Sequence, residues 1–234
     1  MYKMASDRLK TELFDLEGFK ESKGGLGGGI GFFKKIGDQR ILRMGCSILK
    51  YGDFQKLNGF GGSINFLEIE NIITPILGKF ELMGKGNPVD RITIEVHFEC
   101  MGFAELKIRP SYNAIQIHNE VDVDYVVEAM KTNYLTYTKI GFEKFTSIEQ
   151  FLPLIEGKDF KQLLPILGQF SYFKKAIILK LTNMQEYQTY INEVIEITEK
   201  FMGPNKDSRD GIKWHNAAIE LKQILDNTPP IYNV

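Results

Sequence analysis

The sequence predicts an α+β fold in which an antiparallel sheet, built mainly from the first half, carries packed helices and a helical C-terminal part. Arg91–Met101 alternate apolar and polar side chains, which is typical of a central strand with one face on a core and the other toward water. From about Glu120 the apolar period lengthens from two residues to about 3.6. Glycine, asparagine and proline separate the alternating segments, as turns between strands require.

The first half is predicted to hold two helices and a meander of strands. One helix is expected over Ser6–Leu16, with Ser6 as its N-cap, and another over Leu67–Leu77, where Pro75 kinks or ends it. Residues 51–62 supply the glycines and asparagine of a long hairpin loop. The predicted strands are Ile30–Ile36, Arg40–Tyr51, Phe60–Phe66, Arg91–Met101, Ala104–Arg109 and Tyr112–His118.

The second half is predicted to be helical. Its first helix begins near Glu120 and reaches Gly141, with Asp122 or Asp124 as its cap. Further helices are expected over Ser147–Ile155, Phe160–Leu167, Ser171–Thr182, Gln185–Met202 and Ile212–Leu225. The expected organisation is therefore a sheet with two helices over residues 1–119 and a helical part over 120–234, packed together as one unit.

Composition excludes several classes of protein. Apolar residues make up 43% of the 234-residue chain, so the chain can bury a core and is not disordered. The net charge of −1 gives no global attraction to nucleic acid or to anionic membranes. No apolar run resembles a signal peptide or a membrane span, and the two cysteines, Cys46 and Cys100, form no disulfide framework. We expect a cytoplasmic protein.

The glycine-rich segment 24–31 is the most unusual local composition. It contains neither a dinucleotide-binding G-x-G-x-x-G nor a P-loop motif, and it leads into a predicted strand. No helix N-terminus would therefore follow it to hold a phosphate. We interpret it as a connector and predict no nucleotide cofactor there.

A catalytic reading of the central strand would use its polar face, which carries Arg91, Glu95, His97 and Glu99. A histidine between carboxylates can act as a general base. No nucleophile or oxyanion site accompanies the row, so a solvated or helix-covered face explains it better. His97 and Cys100 fall on opposite faces of the strand, and we therefore predict no metal site.

The segment between residues 20 and 50 is basic and carries aromatic side chains. Basic residues interleaved with aromatics can bind an acidic protein or a nucleic acid, whereas the simpler explanation is the solvated side of a hairpin. The candidate partner-binding residues are Phe32, Phe33, Lys34, Lys35, Arg40 and Arg43. The lysines and arginines would steer the partner, and Phe32 or Phe33 would be its apolar anchor if exposed.

Several short sequence motifs resemble those of a group of uncharacterised bacterial proteins known only as a domain of unknown function. These motifs are GFK at Gly18–Lys20, FFKK at Phe32–Lys35, INFLEIENIITPI at Ile64–Ile76 and FKKAIILKLTN at Phe173–Asn183. The group comprises small α/β proteins with a helical C-terminal part, often suspected of being immunity proteins that neutralise toxins. The resemblance implies an immunity-type role and transfers no active-site residues.

The sequence therefore favours a non-enzymatic cytoplasmic protein that binds a protein partner, such as a bacterial toxin. One alternative is a nucleic-acid or nucleotide-binding protein that uses the basic hairpin 20–50. Another is an enzyme of unrecognised type that uses the Arg91, Glu95, His97 and Glu99 face. No cofactor, metal or membrane contact is expected, and the sequence leaves the oligomeric state open.

Overall fold

The computed structural model describes residues 2–22, 30–84, 86–96 and 116–233. Within these ranges the strands are β1 (Lys20–Glu21), β2 (Ile30–Ile36), β3 (Arg40–Tyr51), β4 (Phe54–Phe66), β5 (Ile94–Val96) and β6 (Gln116–Ile117). The α-helices are α1 (Tyr2–Leu9), α2 (Leu67–Lys79), α3 (Glu120–Asn133), α4 (Lys139–Lys144), α5 (Leu152–Ile155), α6 (Phe160–Leu167), α7 (Ser171–Leu181), α8 (Tyr187–Lys200) and α9 (Arg209–Asp226). The predicted α+β class is confirmed.

The strands form one sheet in the order β1-β2-β3-β4-β5, and β6 pairs with β4. The pairs β1–β2, β2–β3 and β4–β6 are antiparallel. The bounds of β2 and β3 agree with the prediction at both ends, and each strand ends just before a turn: Gly37 and Gly52, which follow them, adopt positive φ. β4 begins six residues earlier than predicted. The turn before it is only Gly52–Asp53, so most of the expected long loop is strand.

By contacts between Cα atoms, the chain divides into two compact units, each made of two separate segments. Unit 1 comprises Met1–Ile64 and Glu95–Lys144, and unit 2 comprises Asn65–Ile94 and Phe145–Val234. The division expected from sequence, at residue 119, follows the change in hydrophobic period. The contacts instead assign α3 and α4 to the unit that holds most of the sheet, and α2 to the unit that holds α5–α9.

Unit 1 has an aromatic core between the hairpin and the helices. Phe14 stacks on Phe32 with ring centroids 4.2 Å apart, and Tyr134 meets Phe14 edge to face at 5.7 Å. Two turns of π-helix, Lys10–Phe14 after α1 and Tyr134–Thr138 between α3 and α4, supply two of these three rings. A π-turn holds one residue more than an α-turn, and it changes which side chains face the core.

The first helix differs from the prediction at both ends. It begins at Tyr2, so Ser6 lies inside the helix and is buried rather than acting as a cap. The π-turn then points Leu13 and Phe14 into the core. The helical spacing of Leu9, Leu13 and Leu16 predicts that Leu16 faces inward as well, but it is 81% exposed. α3 likewise begins one residue after Asn119, whose side chain caps the helix in place of the expected Asp122 or Asp124.

Unit 2 has a core of helices that pack against the C-terminal end of β4. Phe66 packs edge to face on Phe151, which stacks on Phe145 at 4.6 Å. Pro75 does not end α2, which continues to Lys79, and Ile69, Ile73, Ile76 and Leu77 are buried along the helix. α6 agrees with the prediction at both ends. The helical spacing of the apolar residues in Gln185–Met202 predicts that Phe201 faces inward. Instead, α8 ends before it, and its side chain is 44% exposed.

Only part of the predicted central strand lies among the described residues. Arg91 and Ile92 precede the strand, and β5 covers Ile94–Val96. Thr93, predicted to face water, is 1% exposed; its hydroxyl accepts a hydrogen bond from Phe66 N and donates one to Glu70. Residues 97–115, which include the rest of this strand, the predicted strand Ala104–Arg109 and most of Tyr112–His118, are outside the described residues.

Gly62 should be essential to the packing of β4 in unit 1. A Cβ at this position would lie 2.2 Å from the Cγ2 atom of Thr138 in the π-turn. We expect Gly62→Ala to lower the free energy of unfolding by about 1–3 kcal/mol, measured by urea denaturation. Gly61→Ala is the matched control, since nothing lies within 4 Å of its Cβ position. Equal stability of the two variants would contradict this packing.

Candidate functional site

The six residues predicted to bind a partner lie on two different faces of the β2–β3 hairpin. In the observed register Phe33 pairs with both Lys20 and Arg43, and Lys34 pairs with Leu42. Directly paired residues share a face, and neighbours along a strand point to opposite faces. The basic face therefore carries Lys20, Phe33, Lys35 and Arg43, and the helix-facing side carries Phe32, Lys34 and Arg40.

On the helix-facing side, Phe32 belongs to the core of unit 1. Its side chain is 2% exposed and stacks on Phe14. The role of apolar anchor requires an exposed ring, and Phe32 does not meet that condition. Phe33 is half-buried on the other face, so it remains the candidate anchor.

The two cations beside Phe32 bind backbone carbonyls of unit 1. The Nζ atom of Lys34 donates to Glu17 O at 2.7 Å and lies 5.9 Å from the centre of the Phe19 ring. Arg40 donates from Nη1 to Phe142 O at 3.4 Å, and burial lowers its pKa. Both side chains therefore hold helices and loops against the sheet.

On the basic face, charge and an aromatic ring lie side by side. Lys20 and Lys35 are exposed, and Phe33 and Arg43 are half-buried. The Lys35 amine is 3.2 Å from Asp38 Oδ1, and both side chains are well exposed, so this is a weak, solvent-screened pair. Lys20 was missed as a site residue because its place on this face follows only from its pairing with Phe33.

A second polar cluster in unit 1 surrounds Glu17. Its carboxylate accepts hydrogen bonds from Lys139 Nζ at 2.9 Å and from Tyr134 Oη at 3.2 Å. The hydrogen bond from Lys139 holds the pKa of Glu17 below its usual value, and burial raises the pKa of Tyr134. Tyr134 thus stays a neutral donor, and the cluster joins the segment after α1 to the π-turn.

Unit 2 contains two buried lysines that sequence reasoning missed. Lys174 is 5% exposed, and its Nζ atom donates to Ile92 O at 3.0 Å, Thr93 O at 2.8 Å and Leu167 O at 2.8 Å. An ammonium group has three protons, so these three carbonyls satisfy it. The signal available in the sequence was a pair of lysines inside the otherwise apolar run FKKAIIL.

The neighbouring Lys175 is 7% exposed and donates to Ile155 O at 2.8 Å. It also lies 4.7 Å from the centre of the Tyr190 ring. Burial lowers its pKa, which is the shift a nucleophilic lysine needs. It donates as well to Lys158 O at 3.3 Å. Its contacts are thus with two backbone carbonyls and an aromatic face of its own unit, as expected for a structural cation.

The residues of the enzyme hypothesis are only partly described. Arg91 donates from Nη2 to Gly84 O at 2.6 Å and fills the space where Gly86 lacks a side chain. It thereby orders its own loop. Glu95 lies in β5, but its side chain, with His97 and Glu99, is outside the description, and the catalytic role of this face stays a prediction. The glycine-rich segment lies outside it as well, except Ile30 and Gly31, which belong to β2.

Within the described ranges, no three histidine, cysteine, aspartate or glutamate side chains come together in a way that could hold a metal ion. Among the same residues, every helix is too short or too polar to cross a membrane. Comparisons of the chain with protein-family models, with curated proteins and with solved structures find no match.

The Glu17 cluster should make stability depend on acid. Because the folded-state pKa of Glu17 is lowered from 4.5, its contribution is fully present above about pH 4.5 and is lost as the pH falls through the lowered value. We expect Glu17→Gln to be less stable than the wild type at pH 7 and to approach it at low pH, in urea denaturation followed across pH.

The matching substitution is Lys139→Met, which removes the partner and should give the same loss at pH 7. The double variant should then be scarcely less stable than either single variant, since one interaction has been removed twice. Additive losses, or a difference between wild type and Glu17→Gln that does not change with pH, would rule out this pairing.

Proposed function

We propose that this chain is a non-enzymatic protein-binding protein and that the basic face of its β2–β3 hairpin captures an acidic partner. The observation that supports this proposal is the division of the hairpin between two faces. Lys34 and Arg40 bind carbonyls of their own unit. On the other face, the exposed Lys20 and Lys35 and the half-buried Arg43 are neighbours of Phe33 in the strand register. A half-buried ring with cations around it has the composition of an interface centre with a charged rim.

The local charge of the hairpin supports the same proposal. Residues 30–56 contain six lysines and arginines but only two aspartates, whereas the whole chain carries a net charge of −1. A local excess of one sign steers an oppositely charged partner into contact and raises the association rate. The favoured partner is therefore a protein with an acidic surface.

A narrower form of the proposal follows from the resemblance to suspected immunity proteins. In this form the partner is a bacterial toxin, and the chain acts in the cytoplasm by covering the toxin's functional surface. Nothing in this role requires a cofactor or a metal. It predicts that co-expression of the chain protects cells from one particular toxin.

A second candidate function is nucleic-acid binding on the same face. Phe33 among three cations has the chemistry of a stacking platform, in which a base lies on the ring and lysines or arginines contact the phosphates. Fluorescence anisotropy with a labelled oligonucleotide distinguishes this candidate, because its affinity should fall steeply with salt. We expect no such binding at physiological salt.

The proposal predicts that charge reversal on the basic face abolishes partner capture. Immobilised wild type and the Lys35→Glu/Arg43→Glu variant would be compared for the proteins that they retain from a lysate of the source cells. We expect an acidic protein on the wild type to be lost from the variant, and to be released from the wild type by salt. Capture should fall at least tenfold, quantified by mass spectrometry.

The matched control is Lys161→Glu/Lys200→Glu, which reverses two exposed lysines of unit 2 and gives the same net charge. It should retain the partner. If the two variants lose the same proteins, the effect is one of net charge and the basic face is not the site. Unchanged capture by Lys35→Glu/Arg43→Glu would contradict the proposal directly.

A further inference from the structure

Five partly exposed aromatic rings meet on the surface of unit 2. Trp214 of α9 lies at the centre, with its ring centroid 5.2 Å from Phe170, 5.6 Å from Tyr172 and 6.5 Å from Phe201. Phe160 extends the group from Tyr172, at 4.9 Å. Phe201 is 44% exposed, and the other four residues are half-buried. These five residues are called the aromatic patch, and their composition is that of a binding surface.

Phe170 adopts a backbone conformation that its residue type disfavours. Its φ of 59° lies in the left-handed region, where a Cβ atom comes close to the following carbonyl oxygen. Phe170 is also the N-cap of α7, and no side-chain hydrogen bond caps that helix, because phenylalanine has no acceptor to offer. Glycine or asparagine would fit the left-handed backbone better. The ring against Trp214 is therefore held at a cost to local stability, as is common at functional sites.

The two polar tips of the aromatic patch have no partner among the residues that the structure describes. Within those residues, no hydrogen bond reaches the indole N–H of Trp214 or the hydroxyl of Tyr172, and both atoms are open to solvent. Burial of the ring raises the pKa of Tyr172, so its hydroxyl stays protonated and can donate. An indole N–H can only donate. A complementary ligand therefore supplies hydrogen-bond acceptors.

The charges around the aromatic patch have both signs. Asp159 and Lys161 flank Phe160 with opposite charges. Two further charged residues beside the rings are already paired, Lys213 with Glu81 at 2.9 Å and Glu199 with Lys206 at 2.5 Å. This surface lacks the field of one sign that attracts a nucleic acid or a strongly charged protein. A ligand that complements it in charge is therefore a neutral one.

We propose that the aromatic patch binds a proline-rich segment of a partner protein in the polyproline II conformation. Proline rings are apolar and rigid, so they pack on aromatic rings at little cost in conformational entropy. Proline has a carbonyl acceptor and no N–H donor, which matches a surface whose free tips, on Trp214 and Tyr172, donate. An extended segment of other residues would leave its own N–H groups unpaired there. The patch lies in unit 2, so this interaction is independent of the basic face of unit 1.

Intrinsic fluorescence tests the proposal directly, because Trp214 is the only tryptophan of the chain. The probe is an acetylated and amidated oligoproline of about ten residues, which carries no charge and adopts polyproline II. Titrated into the full chain, it should change the tryptophan emission saturably, and the affinity should be insensitive to salt. A glycine–serine peptide of the same length should cause no saturable change. No change with oligoproline, or the same change with both peptides, would overturn the proposal.

Substitutions locate the binding site. Phe201→Ser removes the most exposed ring and should weaken oligoproline binding by about tenfold. Tyr172→Phe keeps the ring and removes only the donor, and it should weaken binding by about fivefold. The matched control is Ile224→Ser, at a 37% exposed apolar residue about 15 Å further along α9 than Trp214, and it should bind as the wild type does. Equal affinities of all three variants would overturn the proposal.

Phe170→Asn separates binding from stability. Asparagine accepts left-handed backbone, so the urea midpoint should be no lower than that of the wild type. Loss of the ring should nevertheless weaken oligoproline binding by about fivefold. A lower midpoint with unchanged affinity would mean that the ring of Phe170 serves the fold alone, and it would contradict the proposal.

Other occupants of the aromatic patch give different results. An oligothymidylate that binds with a steep salt dependence, where oligoproline does not bind, would make the ligand a nucleic acid. Pro229 and Pro230 of the chain itself are exposed, and self-association that Phe201→Ser abolishes would make the occupant a second copy. Either result would overturn the proposal. The Lys35→Glu/Arg43→Glu variant should bind oligoproline as tightly as the wild type, since its substitutions lie in unit 1.

Discussion

The stacked contact between Phe14 and Phe32 decides which face of the hairpin meets the helices of unit 1. Once Phe32 is buried at 4.2 Å from Phe14, the alternation of the strand places Lys34 on the same side and Phe33 and Lys35 on the other. Lys34 and Arg40 must then bury part of their side chains, and each finds a backbone carbonyl of its own unit. Basic residues that lie close together in sequence thus form two sets with different physical roles. One set joins the sheet to its helices, and the other lies on the opposite face of the hairpin.

Unit 2 also contains a buried cation whose hydrogen bonds go to backbone carbonyls. Lys174 lies inside the apolar helix α7, and its three hydrogen bonds reach the end of α6 and the segment just before β5. Thr93, in that segment, also bonds Phe66 and the buried Glu70 of α2. Removing one partner of such a network leaves the others buried and unsatisfied, so the network favours a single arrangement of these segments. Polar groups with complete partners define how the two sequence segments of unit 2 fit together.

Much of the fold could be predicted because local pattern and tertiary structure agree. β2, β3 and α6 have the predicted bounds, and each is followed by a glycine with positive φ that marks its C-terminal end. The faces of the candidate site could not be predicted with the same certainty. Alternation says that Phe32 and Phe33 point to opposite sides, but only the ring of Phe14 decides which of them is buried. The π-turns were missed because one inserted residue leaves composition unchanged and only shifts the phase of the helix. Lys174 was missed because burial of a lysine depends on carbonyls that are distant in sequence.

The assignment of different roles to adjacent lysines is tested most directly by comparing the stability of Lys34→Met with that of Lys35→Met. Both substitutions remove one positive charge from β2 and keep a long side chain. Urea denaturation should show that Lys34→Met lowers the free energy of unfolding by about 1.5 kcal/mol, because Glu17 O loses a charged donor. Lys35→Met should stay within about 0.5 kcal/mol of the wild type, as expected for an exposed residue. Equal losses, or a larger loss for Lys35→Met, would contradict the division of the hairpin into a helix-facing side and a basic face.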